Sequence, residues 1–419
     1  MATARDPQGA LVLGGVALEA IATQHGTPTY VYDLDAIVGE ARALREGFDG
    51  APHLIAYAVK ANSAGPVVRA LAAEGCGADV VSGPELALAR RAGVGSAHIV
   101  FSGVGKKDDE IDLAISEAIA AIQVESVEEL ARVAARARVQ RKQARVSIRL
   151  NPEIDPDEIA THSHIATGHD EAKFGIARAD LADALASVDA AKDALDLVGL
   201  SAHVGSQFTR TDEYLKSAQA LFGVARELRA KYTLLFLDTG GGFGVDYGSG
   251  CDVRPADFVR ATRKLMVASE VADLALHVEP GRALVAAHAV LLARTVQAKV
   301  PRNRARKWLV IDAGMNDLIR PALYQAKHRV VALTDLGGPR TTFRVVGPVC
   351  ESSDDFGDHE LPAATPETVA LLDAGAYGYT MASRYNGRAL ASEVFLRSGA
   401  IEHVVPRRDD SDWIEDRLR

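Results

Sequence analysis

The sequence predicts an α/β region joined to an all-β region, that is, a (β/α)8 TIM-type barrel with a C-terminal β-sandwich or β-barrel domain. Short apolar segments alternate with helical segments between residues 53 and 282, and closely spaced strands replace this pattern after about residue 283. A chain of 419 residues is long enough for two domains. We expect a barrel over residues 31–282 and a β domain built from residues 1–30 and 283–419.

The barrel is predicted by apolar segments in which polar and apolar residues do not alternate. Such segments are typical of strands buried on both faces, and strands that alternate with helices, such as SVEELARVAARARV (126–139), form βα units of a parallel sheet. Eight units favour a closed barrel over an open doubly wound sheet. The segments are HLIAYAVKAN (53–62), GADVVSG (77–83), HIVFSG (98–103), IAAIQVES (119–126), ARVSIRLNP (144–152), LVGLSAHVGSQ (197–207), LLFLDTGGG (234–242) and LALHVEPGR (274–282).

The β domain is predicted by segments that have few helical patterns between them. They are VLLARTVQAKV (290–300), KWLVIDAG (307–314), HRVVALTD (328–335), TTFRVVGPV (341–349) and VALLDAGAYG (369–378). The N-terminal segments ALVLGGVA (10–17) and PTYVYD (28–33) are also strand-like, so we expect them to join this domain. The tail RRDDSDWIEDRLR (407–419) is highly charged, which indicates loose order.

Charge and cysteine content exclude several classes of function. The net charge of −9 and the absence of a basic cluster argue against nucleic acid as a partner. Three sparse cysteines, Cys76, Cys251 and Cys350, fit a reducing cytoplasm better than a disulfide framework. The N-terminus lacks the pattern of a signal peptide, and no apolar run reaches the roughly 18 residues of a membrane helix. We therefore expect a cytoplasmic protein that does not contact a membrane.

Polar or glycine residues stand at the C-terminal end of nearly every predicted barrel strand, at the rim where barrel enzymes have their active sites. Lys60 could simply extend into solvent, but a lysine at a partly apolar rim can also form a Schiff base. Glu279 and Arg282 could form a salt bridge. Alternatively, the carboxylate could face a pyridine nitrogen while the guanidinium binds a phosphate or carboxylate.

Two further rim segments could bind a phosphorylated cofactor. The triplet Gly240–Gly242 is either a flexible loop or a set of backbone N–H donors for a phosphate. His203 is either a core residue or a ring that stacks on a cofactor, with Ser206 at the phosphate. No metal site is predicted, because the histidines at 162, 164 and 169 have no cysteine or carboxylate set to complete a ligand geometry.

One strand end of the β domain carries Cys350. A cysteine in such a position is usually inert packing. The neighbouring Glu351 and Asp354 make a polar site the alternative.

Together these segments resemble the fold-type III pyridoxal-phosphate (PLP) decarboxylases, which have the alanine racemase-like barrel, and among them the diaminopimelate decarboxylase family. The similarity covers almost the whole chain, and its motifs occur in the family's order. They are YAVKAN (57–62), ADVVSGPEL (78–86), QVESVEEL (123–130), RLNPEID (149–155), HIATGHDEAKFGI (164–176), HVGSQ (203–207), LDTGGGFG (237–244), EPGR (279–282), DAGMNDLIRPALY (312–324), GPVCESSD (347–354) and DAGAYGYTMASRYNGR (373–388).

The resemblance implies a role for each matching residue. Lys60 matches the Schiff-base lysine, His203 the histidine that stacks on the ring, and Glu279 the acid that faces the pyridine nitrogen. Cys350 matches the proton donor and, with Glu351, is supplied by the other subunit, which implies a homodimer with shared active sites. The residues that match cofactor contacts are Lys60, His203, Ser206, Gly240, Gly241, Gly242, Glu279, Pro280, Gly281, Arg282 and Tyr377. Those that match substrate contacts are Arg282, Arg320, Tyr324, Glu351 and Tyr377.

The implied reaction is decarboxylation of meso-2,6-diaminopimelate to L-lysine and CO2, the last step of lysine biosynthesis. Ornithine, arginine and carboxynorspermidine are rival substrates in this fold, but an unpaired buried arginine would penalise a substrate that lacks a distal carboxylate. A non-catalytic PLP-homeostasis protein would be shorter and would lack the β domain. A racemase would need a second base. The segment RALASEV (388–394) lacks the prolines common in the family, and the SSDDF loop is variable.

Overall fold

The computed structural model of the chain describes residues 3–152, 173–248, 250, 254–302, 306–408 and 410–419. The backbone forms two compact units. One consists of Glu40–Val245 and Asp252–Ala283, and the other of Met1–Gly39, Asp246–Cys251 and Leu284–Arg419.

Strands and helices are numbered along the chain. The strands are β1 (Thr3–Arg5), β2 (Leu11–Leu13), β3 (Val16–Ala17), β4 (Thr29–Asp33), β5 (His53–Ala58), β6 (Gly77–Val80), β7 (Ile99–Phe101), β8 (Ala121–Val124), β9 (Ala144–Arg149), β10 (Leu195–Ser201), β11 (Phe236–Asp238), β12 (Ala275–Val278), β13 (Ala289–Lys299), β14 (Lys307–Ile311), β15 (Val330–Ala332), β16 (Arg340–Val346), β17 (Asp355–Pro362), β18 (Thr368–Leu371), β19 (Ser392–Arg397) and β20 (Ala400–Val405). The helices are α1 (Leu18–His25), α2 (Leu34–Glu46), α3 (Gly65–Ala73), α4 (Gly83–Arg91), α5 (Asp108–Ser116), α6 (Val127–Gln140), α7 (Leu181–Ala190), α8 (Thr211–Leu228), α9 (Pro255–Ala268), α10 (Arg282–Val285), α11 (Arg320–Tyr324) and α12 (Asp410–Leu418).

The first unit is a closed barrel of parallel strands in the order β10-β11-β12-β5-β6-β7-β8-β9. Seven of the predicted apolar segments contain one of these strands and the eighth contains all of β10 but its first two residues, so the predicted (β/α)8 barrel is confirmed. The strands are almost wholly buried, as expected for a sheet covered on both faces. The chain turns directly from β6 and β8 into α4 and α6, where Ser82 and Ser126 cap the helices by accepting the N–H groups of Glu85 and Glu129.

The second unit is built on a nine-stranded sheet that runs β17-β16-β14-β13-β4-β19-β20, with β18 on β13 and β15 on β18. The N-terminal strand β4, from the segment PTYVYD, lies between β13 and β19 of this sheet. β1, β2 and β3 form a separate small sheet. Val31, Leu292, Ala370 and Val394 pack in one core beside residues of β2 and α1.

Some elements were not predicted. β17 pairs antiparallel with β16, while β19 pairs antiparallel with β20 and parallel with β4. The β17 segment (DFGDHELP) carries three acidic residues, which disfavour a strand in isolation. The charged tail, for which the sequence indicates loose order, forms α12. Among the helices described, none has both the length and the apolar character needed to cross a membrane.

Candidate active site

The lysine at the barrel rim is paired with a buried carboxylate. Lys60 lies in the short 3-10 turn Val59–Ala61 that follows β5, and Asp79 lies in the adjacent strand β6. The Lys60 Nζ donates to Asp79 Oδ2 at 2.5 Å. The side chain of Lys60 is 37% exposed and that of Asp79 is fully buried, so the amine is held at the edge of the barrel interior but remains reachable.

Two more carboxyl groups lie inside the barrel, Asp238 at the end of β11 and Glu279 directly after β12. Gln123 of β8 donates from Nε2 to Asp238 Oδ2 (3.0 Å) and to Glu279 Oε1 (2.8 Å). Burial, followed by the charges of Asp238 and Asp79, raises the pKa of Glu279 well above its ordinary value. Burial is also the main reason that the pKa of Asp238 rises to about 6.

Three rim segments of the barrel meet around Ser206. The Arg282 Nη2 donates to Ser206 Oγ at 3.2 Å. Gly240 and Gly242 have φ values of +69° and +86°, which favour glycine, and a Cβ on Gly242 would come within 2.3 Å of the Gly205 carbonyl oxygen. The glycine loop therefore lies against the loop that carries Ser206, and a larger residue would separate them.

The His203 ring is held in one tautomer. The Gly241 N–H donates to His203 Nδ1 at 3.1 Å, which leaves the ring proton on Nε2. Burial, with the positive charges of Arg149 and Lys60, lowers the pKa of His203 well below its ordinary value. The imidazole is thus a neutral flat ring beside the glycine loop.

In the second unit, Arg320 is a buried guanidinium whose position is fixed by two neighbours. The His328 Nδ1 donates to the Leu372 carbonyl (2.9 Å), so its Nε2 accepts from Arg320 Nη1 (2.8 Å). The guanidinium also lies over the ring of Tyr247 at 4.8 Å from the centroid. Arg320 begins α11 and Tyr324 ends it, so the two residues are one helical turn apart on the same face.

The segment that carries Cys350 and Glu351 is exposed, and two residues of the 3-10 turn Tyr385–Gly387 hold it. The Cys350 N–H donates to Asn386 Oδ1 at 3.0 Å. The Tyr385 hydroxyl donates to Glu351 Oε1 at 2.6 Å, and this bond is the main reason that the pKa of Tyr385 is raised. The backbone of this segment and the carboxylate of Glu351 are thereby oriented while the thiol remains accessible.

Asp354 serves the backbone of this same segment. Its carboxylate is buried and accepts the N–H groups of Met315 and Val349, each at 2.6 Å.

Tyr377 adopts φ +56°, an uncommon conformation for a tyrosine and one that is found disproportionately at functional sites.

Comparison with known proteins now adds an independent line of evidence. The family model described as "Pyridoxal-dependent decarboxylase, pyridoxal binding domain" matches residues 34–286. The diaminopimelate decarboxylase of Pseudomonas aeruginosa is 41% identical over 397 residues, covering 94% of this chain and 93% of that protein. The chain belongs to the diaminopimelate decarboxylase family.

Solved structures of this family agree over nearly the full length. Diaminopimelate decarboxylase from Helicobacter pylori, complexed with L-lysine, has a TM-score of 0.89 and 36% identity over 96% of this chain and 100% of that one. The enzyme from M. jannaschii, in co-complex with L-lysine, has a TM-score of 0.91 and 32% identity over 99% of this chain and 97% of that one. As a member of this family of carboxy-lyases, the protein is an enzyme.

The site residues expected from the sequence of this diaminopimelate decarboxylase family member fall into two groups, one in the barrel and one in the second unit. The barrel brings together Lys60, His203, Ser206, Gly240, Gly241, Gly242, Glu279, Pro280, Gly281 and Arg282 at the C-terminal ends of its strands. Arg320, Tyr324, Cys350, Glu351 and Tyr377 belong to the second unit. The histidines at 162, 164 and 169 lie outside the described residues.

Five neighbours of these residues were missed from the sequence: Asp79, Gln123, Asp238, Tyr247 and His328. For the first three a signal was available, because a charged or amide side chain inside an otherwise apolar strand is rarely buried without a partner. Tyr247 and His328 gave no comparable signal, since they belong to segments of mixed polarity and contact Arg320 only in the folded unit.

The hydrogen-bonding groups in the barrel interior fit pyridoxal phosphate. Asp238 and Glu279 share a single amide donor on Gln123, and within the described residues the buried Asp79 Oδ1 has no hydrogen-bond donor. The interior thus has a carboxylate oxygen that lacks a donor and an excess of acidic groups. A protonated pyridine nitrogen supplies both a donor and a positive charge, and the Ser206 region offers hydroxyl, guanidinium and glycine-loop groups suited to a phosphate.

Proposed function

We propose that the protein catalyses decarboxylation of meso-2,6-diaminopimelate to L-lysine and CO2, the last step of lysine biosynthesis, with pyridoxal 5'-phosphate as cofactor. One observation carries the proposal. A reachable lysine, a buried acid pair and a phosphate-binding set of groups occupy the same end of one barrel. Each of these features has other uses, but pyridoxal chemistry requires all three together.

The barrel residues hold the cofactor in this proposal. Lys60 would hold it covalently through Nζ, Glu279 would bind its ring nitrogen, and the neutral ring of His203 would pack against it. Ser206, Arg282 and the Gly240–Gly242 loop bind its phosphate, with Pro280 and Gly281 placing Arg282 beside them. When bound, the cofactor supplies an electron sink that stabilises the negative charge left on the substrate carbon after CO2 departs.

Residues of the second unit complete the reaction in this proposal. The Cys350 thiol donates a proton from Sγ to the carbon that has lost CO2, and it remains accessible because Asn386 holds its backbone rather than its side chain. The exposure of Cys350 supports a second role for the segment, which is to enter the active site of a partner subunit. We therefore expect a homodimer in the cytoplasm, with Cys350 and Glu351 supplied across the interface.

Charge complementarity selects the substrate. Diaminopimelate carries a carboxylate and an ammonium at its distal end. Arg320, held by His328, and Tyr324 bind the distal carboxylate, while Glu351, held by Tyr385, meets the distal ammonium. Arg282 and Tyr377 contact both cofactor and substrate. The relatives crystallised with L-lysine support the identity of the product, because lysine is what remains after one carboxylate of diaminopimelate is lost.

The experiment that tests the proposal is incubation of the purified protein and pyridoxal phosphate with meso-diaminopimelate, ornithine, arginine and carboxynorspermidine in separate reactions. Release of CO2 and formation of the amine product are followed for each. We expect CO2 and L-lysine in equal amounts from diaminopimelate and little turnover of the others. Preference for ornithine would overturn the substrate assignment, and chiral exchange without CO2 would indicate a racemase instead.

A further inference from the structure

The interior of the barrel contains a side-chain network that the proposed mechanism has not used. Gln123, Asp238 and Ser201 lie on β8, β11 and β10, and all three side chains are buried. In the barrel order β8 is on the opposite side from β12, the strand that leads to Glu279. The Gln123 side chain therefore crosses the interior to reach Glu279, an arrangement that needs a specific reason in a core otherwise filled by packing.

The amide of Gln123 has a defined orientation. Its Oε1 accepts from Ser201 Oγ at 3.0 Å, so its Nε2 must point the other way, toward the two carboxyl groups. From there Nε2 donates to Asp238 Oδ2 at 3.0 Å and to Glu279 Oε1 at 2.8 Å. One amide nitrogen thus holds one oxygen of each carboxyl group at the same place.

Asp238 connects this network to the glycine loop. Its Oδ1 accepts the Gly240 N–H at 2.8 Å while Oδ2 is bound by Gln123. The Glu279 N–H, in turn, donates to the Gly240 carbonyl at 2.9 Å. Gly240 is therefore hydrogen-bonded to both the side chain of Asp238 and the backbone of Glu279, so it links the position of the carboxyl pair to that of the glycine loop.

We propose that Gln123 and Asp238 are positioning residues that act through Glu279: Gln123 holds the two carboxyl groups side by side, so that a pair of acids, rather than Glu279 alone, keeps the ring nitrogen of the cofactor protonated. The inference rests on the proposed function, because it requires a pyridoxal ring opposite Glu279. The pair supplies a proton to the ring nitrogen and is left with the matching negative charge, so no other reactant is needed.

The other charged groups around the pair are compatible with this role. Glu279 faces Asp238 and Asp79, which are negative, and Lys60 and Arg149, which are positive. Arg149 is already paired with Glu125 at 3.0 Å, and Lys60, which pairs with Asp79 at 2.5 Å in this structure, would be bound to the cofactor itself in the holoenzyme. The negative charge of Asp238 is therefore available to the ring nitrogen.

The test is nitrogen-15 NMR of the holoenzyme reconstituted with ring-labelled pyridoxal phosphate, recorded across a pH series. In the unaltered protein we expect the nitrogen to stay protonated through neutral pH and to lose its proton only at the alkaline end of the stable range, which sets the reference for the variants. Asp238→Asn keeps Oδ1 for the Gly240 N–H but removes the charge, so deprotonation should move down by about 1–3 pH units, the usual effect of losing a close opposite charge. Gln123→Leu keeps both charges but frees the carboxyl groups, and should shift the nitrogen titration in the same direction by a smaller amount.

Two further variants separate the possible failures. Glu279→Gln should abolish protonation of the nitrogen and serves as the reference for a full effect. Glu129→Gln removes another buried barrel carboxylate, which is paired with Lys106 at 3.1 Å, and should leave the nitrogen unchanged even if stability falls. Asp238→Glu restores the charge and should restore protonation.

If Asp238→Asn and Gln123→Leu both titrate like the unaltered protein while Glu279→Gln does not, the inference is wrong and the proposed function survives. If the unaltered protein binds no pyridoxal phosphate, the proposed function itself fails. If thermal unfolding shows that one of these two variants does not fold, the other decides the question. Loss of the Asp238 charge and loss of the Gln123 hydrogen bonds are predicted to shift the nitrogen titration in the same direction.

Discussion

Removal of the Arg320 guanidinium is the sharpest test of how the enzyme chooses its substrate. Arg320 is 5% exposed and its Nη1 is held by His328 Nε2 at 2.8 Å, with Tyr247 beneath the guanidinium plane. The arginine is therefore oriented before any substrate arrives. The guanidinium is the group proposed to meet the distal carboxylate of diaminopimelate. Arg320→Ala should consequently weaken binding of that carboxylate without changing the barrel.

The expected magnitude follows from the hydrogen bonds that are lost. A hydrogen bond to a charged group contributes about 1.5–3 kcal/mol. Because about 1.4 kcal/mol corresponds to a factor of ten, loss of one such bond lowers kcat/KM for diaminopimelate by about 10–100-fold. The effect should exceed this range if the carboxylate is left in a desolvated site with no cation. Ornithine brings no distal carboxylate, so its kcat/KM should fall much less.

The assay is kcat/KM for diaminopimelate, ornithine and lysine, measured with the unaltered protein, Arg320→Ala and Arg320→Lys. Lysine at this position keeps the charge but not the planar pair of donors, so its loss should be intermediate. Arg329→Ala is the matched control, since it removes a neighbouring guanidinium that is paired with Asp373 at 2.7 Å and has no proposed contact with substrate. Thermal unfolding and the visible spectrum of the cofactor check that each variant is intact.

Two results would refute this reasoning. A constant ratio of kcat/KM between diaminopimelate and ornithine in Arg320→Ala would mean that Arg320 does not set specificity. An equal loss in Arg329→Ala would mean that any missing cation in this unit has the same effect, and that the orientation by His328 is irrelevant.

Four other predictions follow from the same structure. Lys60→Ala should lose the visible absorbance band of the bound cofactor and all turnover. In the unaltered protein, borohydride reduction should attach the pyridoxyl group to Lys60, and attachment to another lysine, found by peptide mapping, contradicts the assignment. Cys350→Ala should bind cofactor normally but form product slowly, because the carbon that has lost CO2 has no proton donor; full activity would exclude this role. Mixed Lys60→Ala and Cys350→Ala subunits should recover activity, up to one intact site per dimer, whereas no recovery after proven subunit exchange argues against a shared site. Burial raises the pKa of Glu393 to about 7, so the contribution of this group to stability is complete below its unfolded pKa near 4.5 and is lost as pH rises through 7. Glu393→Gln should therefore raise the free energy of unfolding at pH 8 by at most about 3 kcal/mol and change it little at pH 4. A pH-independent effect in thermal unfolding would show that the carboxyl group is not buried as described.

The sequence was sufficient for the barrel because the evidence for its strands is local. Each strand is an unbroken apolar run of few residues, and burial on both faces produces that pattern whatever the neighbour is. β17 was missed for the opposite reason, because its acidic residues do not favour a strand by themselves. The strand is formed by pairing with β16, from Arg340 opposite Pro362 to Val346 opposite Asp355. The charged tail was likewise judged from composition alone, whereas α12 packs its Trp413 against Gly387.

The site divides along similar lines. Lys60, Glu279 and Cys350 could be predicted as site residues because each belongs to a motif of adjacent residues. The network around Glu279 could not be found in this way. Gln123 lies 115 residues before Asp238 and 156 before Glu279, and the three meet only when the barrel closes. A contact across a closed barrel leaves no periodicity and no spacing in the sequence, so only the three-dimensional structure reveals it.

That network also links stability to function. Asp238 and Glu279 are buried close together, and burial raises the pKa of both, which favours their neutral forms at a cost to the folded chain. A cationic ring bound among them, as proposed above, would offset that cost, so the groups that destabilise the barrel are the groups proposed to bind the cofactor. Binding to the folded state alone then stabilises it in proportion to cofactor affinity. If the proposed function is correct, the acid cluster is a binding site maintained at the expense of stability rather than part of the structural core.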